Sequence, residues 1–344
     1  MKIIDLFCGV GGLSLGFEKA GFEIIAGVDL WDDAIETFNH NHKTNSGISI
    51  DIKEFNKQIL KNILSENEIT GIVGGPPCQG FSSARLSDKS KKVDMINEER
   101  NHLYIDFYNT VKKSSPKFFL IENVRGMVSI DNGAFVQDIY ERFGKLGYTI
   151  NHEILDASNY GIPQSRKRVF FIGIKNNKFI FPDKFDQKIS TKEALSDLPT
   201  IESSTSYISK AMNEYQKDVR KLSRSVSNHD MTHHSTQTID VISKVPDGGN
   251  IRSLPEKYWK IRKFNKAFQR MDSSLPSLTI DTGHRNYFHF KENRIPTVRE
   301  SARIQSFSDD FEFLGSKTSQ YKQVGNAVPP KLAFILATEL KKFL

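Results

Sequence analysis

Residues 2–20 read KIIDLFCGVGGLSLGFEKA. KIIDLF (2–7) is a short apolar run that predicts a buried strand. It stops at a glycine cluster, Gly9, Gly11 and Gly12, and Leu13, Phe17 and Ala20 then recur at helical spacing. A strand, a glycine turn and a helix in that order predict a βαβ unit whose turn faces a ligand. The pattern repeats outward. FEIIAGV (22–28) predicts a second strand closed by Asp29, and Asp32–Asn41 a helix with an acidic start. ITGIV (69–73) predicts a strand running into Gly74, Gly75, Pro76 and Pro77. KFFLI (117–121) predicts one ending at Glu122, and RVFFIGI (168–174) another, apolar on both faces. Strands alternating with helices imply a mostly parallel sheet, covered on both faces, with its ligands at the carboxyl ends of the strands. Nearly all the unusual residues fall at those ends.

Composition narrows the class. The 344 residues include 37 aromatics and a net charge of +7. That supports a folded, mildly basic protein and permits a polyanionic partner. Two cysteines, Cys8 and Cys78, form no CxxC pair, which excludes a disulfide scaffold and a zinc ribbon. No apolar run of membrane-spanning length occurs. The first residues lack the apolar run and cleavage site of a secretory signal. The expectation from composition is a soluble intracellular protein with no membrane and no metal.

Texture divides the chain into 1–174, a regular α/β domain; 175–290, an irregular, polar, smaller domain; and 291–344, where helical patterns return at Val298–Gln305 and Pro330–Leu344.

The glycine turn suits a bound NAD, FAD or S-adenosylmethionine, because side-chain-free backbone lets a ligand approach a helix N-terminus. Asp29 is placed for ribose hydroxyls. Asp51 is either an adenine contact or a helix cap. In IVGGPPCQGFS (72–82) two prolines stiffen a loop that presents Cys78 at the ligand edge, where a thiol of lowered pKa is a nucleophile. Cys8 reads as a small buried hydrophobe. Glu122, after a strongly apolar strand, is a candidate proton donor or hydrogen-bond partner. Arg166 and Arg168 alternate, so the two side chains should face one way and together hold a phosphate, a base carbonyl or Glu122.

Taken together and in order, DLFCGVGGLSLGF, GGPPCQGFS, ENV, QSRKRVFFIG, TVRESARIQSF and GNAVPP resemble the DNA (cytosine-5) methyltransferases over nearly the whole chain. The resemblance implies a Rossmann-like S-adenosylmethionine-dependent catalytic domain with a separate target-recognition domain, discontinuous because the last helix returns to the first turn. It implies that Cys78 attacks C6 of a flipped cytosine, that Glu122 holds or protonates N3, and that Arg166 positions the base and supports Glu122, with Arg168 beside it. It implies an S-adenosylmethionine pocket of Phe7, Gly9, Gly11, Gly12, Asp29, Leu30, Asp51, Ile52, Pro77, Leu103, Asn326 and Val328. Asp29 stands where many members carry Glu, and Leu30 where some carry an aromatic. Ser83, Arg85, Arg100, Thr279 and Ile280 are the implied contacts to double-stranded DNA. The polar stretch 80–100 has the composition of a lid or of a solvated loop. By resemblance, a compact enzyme of this type is the modification half of a type II restriction-modification system, a monomer whose endonuclease is a genetic rather than a physical partner.

In 175–285, basic clusters (Lys217, Arg220, Lys221, Arg224; Lys257, Lys260, Arg262, Lys263, Lys266, Arg270) interleave with Tyr258, Trp259 and Phe264, a pattern for phosphate contact. His229, His233 and His234 have metal-like spacing but no cysteine near them, and read as ordinary or DNA-facing loop histidines. Two other functions fit parts of the pattern: a transfer-RNA cytosine methyltransferase, and a catalytically silent DNA-binding regulator. A nicotinamide oxidoreductase fits only the glycine turn and gives Cys78 and Glu122 no role.

Overall fold

The computed structural model describes residues 1–77, 102–200, 204–220, 223–261, 269–283 and 287–344. They form two units.

The first unit comprises 1–156, 167–183 and 332–344. Its seven strands are β1 (Lys2–Leu6), β2 (Glu23–Asp29), β3 (Gly47–Ser49), β4 (Ile69–Gly74), β5 (Phe118–Val124), β6 (Tyr148–Asp156) and β7 (Lys167–Lys175). They lie in the order β3-β2-β1-β4-β5-β7-β6. The pairs from β3 through β5 are parallel, and β7 runs antiparallel to both its neighbours. The helices are α1 (Gly12–Lys19), α2 (Asp32–Asn41), α3 (Ile52–Glu54), α4 (Leu60–Glu66), α5 (His102–Ser114) and α6 (Ala134–Gly144). This is the mostly parallel, Rossmann-like α/β fold that the strand–helix alternation predicts.

The sheet is covered on both sides, and β5 shows how. Phe118 to Ile121 are all fully buried. Phe118 stacks on Phe17 of α1 and meets Phe22 edge-on. Its neighbour Phe119 points the other way, onto Phe143 of α6 and Tyr148 of β6. Alternate side chains of one strand thus anchor helices on opposite faces, which is why its sequence is continuously apolar.

The second unit comprises 157–166 and 184–331. It contains α7 (Thr191–Leu195), α8 (Glu214–Arg220), α9 (Thr236–Lys244), a two-stranded parallel sheet of β8 (Gln269–Arg270) and β9 (Tyr287–Phe288), α10 (Val298–Ile304) and α11 (Lys317–Asn326). A last helix, α12 (Pro330–Leu340), begins at its end and continues into the first unit. One apolar cluster gathers Val241, Ile242, Val245, Ile251, Leu254, Phe288 and Ile295. A second centre is ionic. Every residue of α10 is buried although its sequence is VRESARI. Arg303 donates to Asp309 Oδ1 (2.9 Å) and the Ala194 carbonyl (2.9 Å), and also binds Asp197. Tyr207 donates to Asp309. A buried guanidinium is tolerable only when its fixed fork of donors is met in this way.

Candidate active site

The carboxyl ends of β3, β2, β1 and β4 lie side by side and bring together most of the residues singled out in the sequence. The chain leaves β1 through Phe7 in a left-handed conformation (φ 58°), followed by Gly9 (φ 53°) and Gly11 (φ 81°). A non-glycine residue held at positive φ stores strain and tends to mark a functional turn. The Gly9 N–H donates to Asp29 Oδ2 (2.8 Å) and the Trp31 N–H to Asp29 Oδ1 (3.0 Å). The β2 carboxylate therefore clamps the glycine turn. Next to it Leu30 is 70% exposed. Asp51, at the end of β3, caps α3 by accepting from the Lys53 N–H (2.7 Å), and the neighbouring Ile52 is buried. Pro77, after β4, is exposed. Leu103, on α5, packs partly buried against the core.

Beneath the turn lies Asp5, fully buried. Its Oδ2 accepts from the Ser14 hydroxyl (2.7 Å) and the Ser14 N–H (3.2 Å), while Oδ1 meets no donor among the described residues. Burial lifts its pKa to about 7, against the opposing pull of Ser14 and His42. Burial, with Asp5 and Asp29 nearby, also pushes the Cys8 thiol well up. Cys8 therefore stays a neutral thiol, a poor nucleophile.

Asp5 carries a testable pH signature. In the unfolded chain it ionises near 4; in the fold it keeps its proton until about 7. Its contribution to stability is whole below the unfolded value and is lost as pH rises through that window, on the order of 4 kcal/mol in all. Asp5→Asn, which mimics the protonated form, should be insensitive there. Urea unfolding of both proteins at pH 5 and pH 8 should show the variant gaining relative to wild type at pH 8. Parallel curves would mean that Asp5 does not titrate in this range.

Glu122 lies within β5, not after it. The strand continues to Val124 because β7 pairs with it that far, Val124 opposite Arg168. Arg168 Nε stands 3.1 Å from Glu122 Oε1, both side chains largely buried. A Cβ on Gly75 would come within 3.1 Å of Glu122 Oε2, so the glycine leaves this carboxylate room against the GGPP turn. The next residue, Asn123, donates from Nδ2 to the Pro76 carbonyl (2.9 Å). That bond fixes the turn two residues before Cys78. Cys78, Ser83, Arg85 and Arg100, and the whole stretch 80–100 read as a lid, lie outside the described residues.

Of the two arginines, Arg168 is the one seen paired with Glu122. Arg166 precedes β7, is 2% exposed, and donates to the carbonyls of Ile280 (3.2 Å) and Gly325 (3.0 Å) within the second unit. Only Arg168 lies on the strand itself. Ile280, expected at DNA, is 1% exposed. Its N–H donates to Gln164 Oε1 (2.9 Å) and its carbonyl receives Arg166, so its polar groups serve the protein. Thr279 is exposed, its hydroxyl on the Ser165 carbonyl (2.8 Å). Gln164 also donates to the Ile304 carbonyl and binds Gln305, so it links QSRKR both to Ile280 and to TVRESARIQSF, a role its place in QSRKR did not disclose. In the same unit Asn326 ends α11, exposed, and Val328 is buried.

The profile of C-5 cytosine-specific DNA methylases matches residues 1–342. The chain belongs to that family. The type II methyltransferase M1.HphI of Haemophilus parahaemolyticus is 34% identical to it, over 99% of this chain and 87% of that protein. The type II methyltransferase M.DdeI of Desulfomicrobium norvegicum is 37% identical, over 99% and 88%. The crystal structure of a putative DNA modification methyltransferase encoded within an E. coli prophage superposes with a TM-score of 0.83 at 28% identity, covering 100% of this chain and 99% of that one. The Entamoeba histolytica methyltransferase EhMeth shares the fold (TM-score 0.67, 18% identity, 99% and 98% covered).

For a DNA cytosine-5 methyltransferase, the remaining candidates sort by where their side chains go. Arg220 turns inward, on Asp197 and over the Tyr207 ring. Arg270 is buried, donating to the carbonyls of Val245, Ile242 and His289. Neither is placed for phosphate, because a guanidinium close to several carbonyls is worth more as a core cross-link. Lys257 lies over Tyr258, Lys217 pairs with Glu214, and Arg224 is exposed. The side chain of Lys260, together with Lys221, Arg262, Lys263, Phe264 and Lys266, lies outside the described residues. His229 spans the Pro199 carbonyl and the Thr297 hydroxyl, and His234 accepts from the Ile295 N–H. No cluster of metal ligands occurs among the described residues, and no described helix is long and apolar enough to cross a membrane.

Proposed function

We propose that this chain is a type II modification enzyme that methylates C5 of one cytosine within a short specific sequence of double-stranded DNA, using S-adenosylmethionine, and so shields that DNA from an endonuclease of the same specificity. The observation that carries the reading is the Glu122–Arg168 ion pair against the GGPP turn that Asn123 tethers ahead of Cys78.

The pocket residues fit the cofactor. Each Asp29 oxygen accepts one backbone N–H and keeps a lone pair for one of two adjacent ribose hydroxyls. Exposed Leu30 offers an apolar surface for adenine. The strained, side-chain-poor turn at Phe7–Gly12 leaves backbone open to the remainder. Bound S-adenosylmethionine supplies an electrophilic methyl group on a sulfonium.

The chain's own residues do the rest. The target base must leave the stack to reach a thiol at a sheet edge. Cys78, as thiolate, adds to C6 and makes C5 electron-rich. Glu122, held by Arg168, binds N3 and supplies the proton that keeps negative charge off the ring. Once C5 has gained the methyl group, its proton passes to water, the electron pair of that C–H bond forms the C5–C6 double bond as the Cys78 thiolate leaves C6, and N3 returns its proton to Glu122. Residues 175–290 serve as the target-recognition domain, and Ser83, Arg85, Arg100 and Thr279 are the residues we assign to DNA contact.

The test is base-resolution methylcytosine sequencing of DNA from a non-methylating host expressing the chain. Methylation confined to one short motif is expected, and endonucleases that cut that motif should then fail on this DNA. A soluble chain leaving every cytosine unmodified overturns the reading.

A further inference from the structure

Position 42 was not singled out by any motif, yet it is built into the underside of the glycine turn. His42 closes α2, its N–H on the Phe38 carbonyl. The side chain is completely buried. Its ring stacks on Phe38, centroids 3.9 Å apart and planes 20° apart. Nε2 lies 3.1 Å from the Val10 carbonyl and Nδ1 lies 2.9 Å from Glu18 Oε2. Each ring nitrogen thus faces an oxygen at hydrogen-bond distance. Gly11 leaves the ring its space: a Cβ there would stand 2.2 Å from Nε2, inside contact distance.

These contacts give the turn a second fixed point. On its outer side Gly9 is held by Asp29, just before α2; on its underside Val10 is held by His42, at the other end of α2. Glu18, from the helix that the turn opens into, fixes the tilt of the imidazole. Asp29 at the end of β2 and His42 at the end of α2 therefore hold the turn at two points, and the strained backbone from Phe7 to Gly11 has little freedom to relax.

We infer that His42 and Glu18 are positioning residues for the cofactor: through the Val10 carbonyl they hold the glycine turn in the shape that binds S-adenosylmethionine, without touching it. The inference rests on the cofactor reading above. A turn already held in its bound shape spares the ligand the cost of ordering it. Losing the bracket should therefore weaken binding of the cofactor and leave DNA binding alone.

The test uses His42→Phe, which keeps the stack on Phe38 and most of the volume but removes both hydrogen bonds. Calorimetry with S-adenosylhomocysteine, without DNA, should show Kd rising about tenfold, as for loss of a buried hydrogen bond of typical strength. KM for S-adenosylmethionine should rise in parallel, with KM for DNA unchanged and kcat altered much less. Glu18→Leu should behave the same way, which covers the case in which His42→Phe fails to fold. Glu18→Gln retains an acceptor for the ring and should restore binding to within about threefold of wild type. Wild-type affinity in both His42→Phe and Glu18→Leu would overturn the inference and leave the cofactor reading standing. So would weaker binding of cofactor and DNA alike and a lower kcat, together with a lower melting temperature, since that marks ordinary structural damage. Failure of the wild-type chain itself to bind either molecule would overturn the cofactor reading and this inference with it.

Discussion

Glu122→Gln should lower the rate of methyl transfer by about 10²- to 10⁴-fold, the range for loss of a placed acid–base group. The amide is nearly the same shape, and its oxygen still accepts from Arg168 Nε, so the local packing should survive. What it lacks is a proton that can be given to N3 as negative charge develops on the ring. The loss should therefore appear in single-turnover transfer from labelled cofactor to a duplex oligonucleotide, with cofactor binding close to wild type. A rate within threefold of wild type would remove Glu122 from the chemistry. The two arginines should separate in the same assay. Arg168→Ala frees the carboxylate and should slow transfer. Arg166→Ala strips the Ile280 and Gly325 carbonyls of their donor inside the second unit and should chiefly lower that unit's resistance to unfolding.

The contrast between those arginines shows where the sequence was legible. Strands buried on both faces announce themselves as apolar runs, and β1, β2, β4, β5 and β7 all fall within a few residues of their expected ends; α2 matches at Asp32–Asn41. Within the seven-stranded sheet, the two strands to which no apolar run was assigned are its edges. β3 has three residues, none of them fully buried, and β6 reads YTINHEILD, with much of its length partly or fully exposed. An edge strand needs no continuous apolar run, so it leaves a weak signal. Missing β6 also hid the antiparallel setting of β7, and with it the extension of β5 past Glu122. In the site, the glycine turn and Asp29 were legible because backbone chemistry demands those residue types at those places. His42 and Gln164 were not. Their partners lie 32 and 116 residues away (Val10 and Ile280), and nothing in the local sequence reports a contact of that range.

Cys78→Ala should abolish methyl transfer, by at least about 10³-fold, as for loss of a covalent nucleophile. Cytosine C5 is too weak a nucleophile to take a methyl group while the ring keeps its aromatic electrons. Addition of sulfur at C6 turns C5 into an enamine carbon, and no other group proposed for this site can make that bond. Cys8 cannot substitute, since burial with two nearby carboxylates holds it in the thiol form. Cofactor binding should persist, because the clamp of Asp29 on Gly9 and the bracket of His42 on Val10 involve no atom of Cys78. The bond itself can be caught with a target cytosine carrying fluorine at C5. Sulfur adds and the methyl group is transferred, but the closing step would have to expel fluorine as a cation, so enzyme and DNA should remain joined. A denaturation-resistant complex is expected from wild type and not from Cys78→Ala. Near-normal turnover by the alanine variant, or an equal yield of complex from both proteins, would place the nucleophile elsewhere.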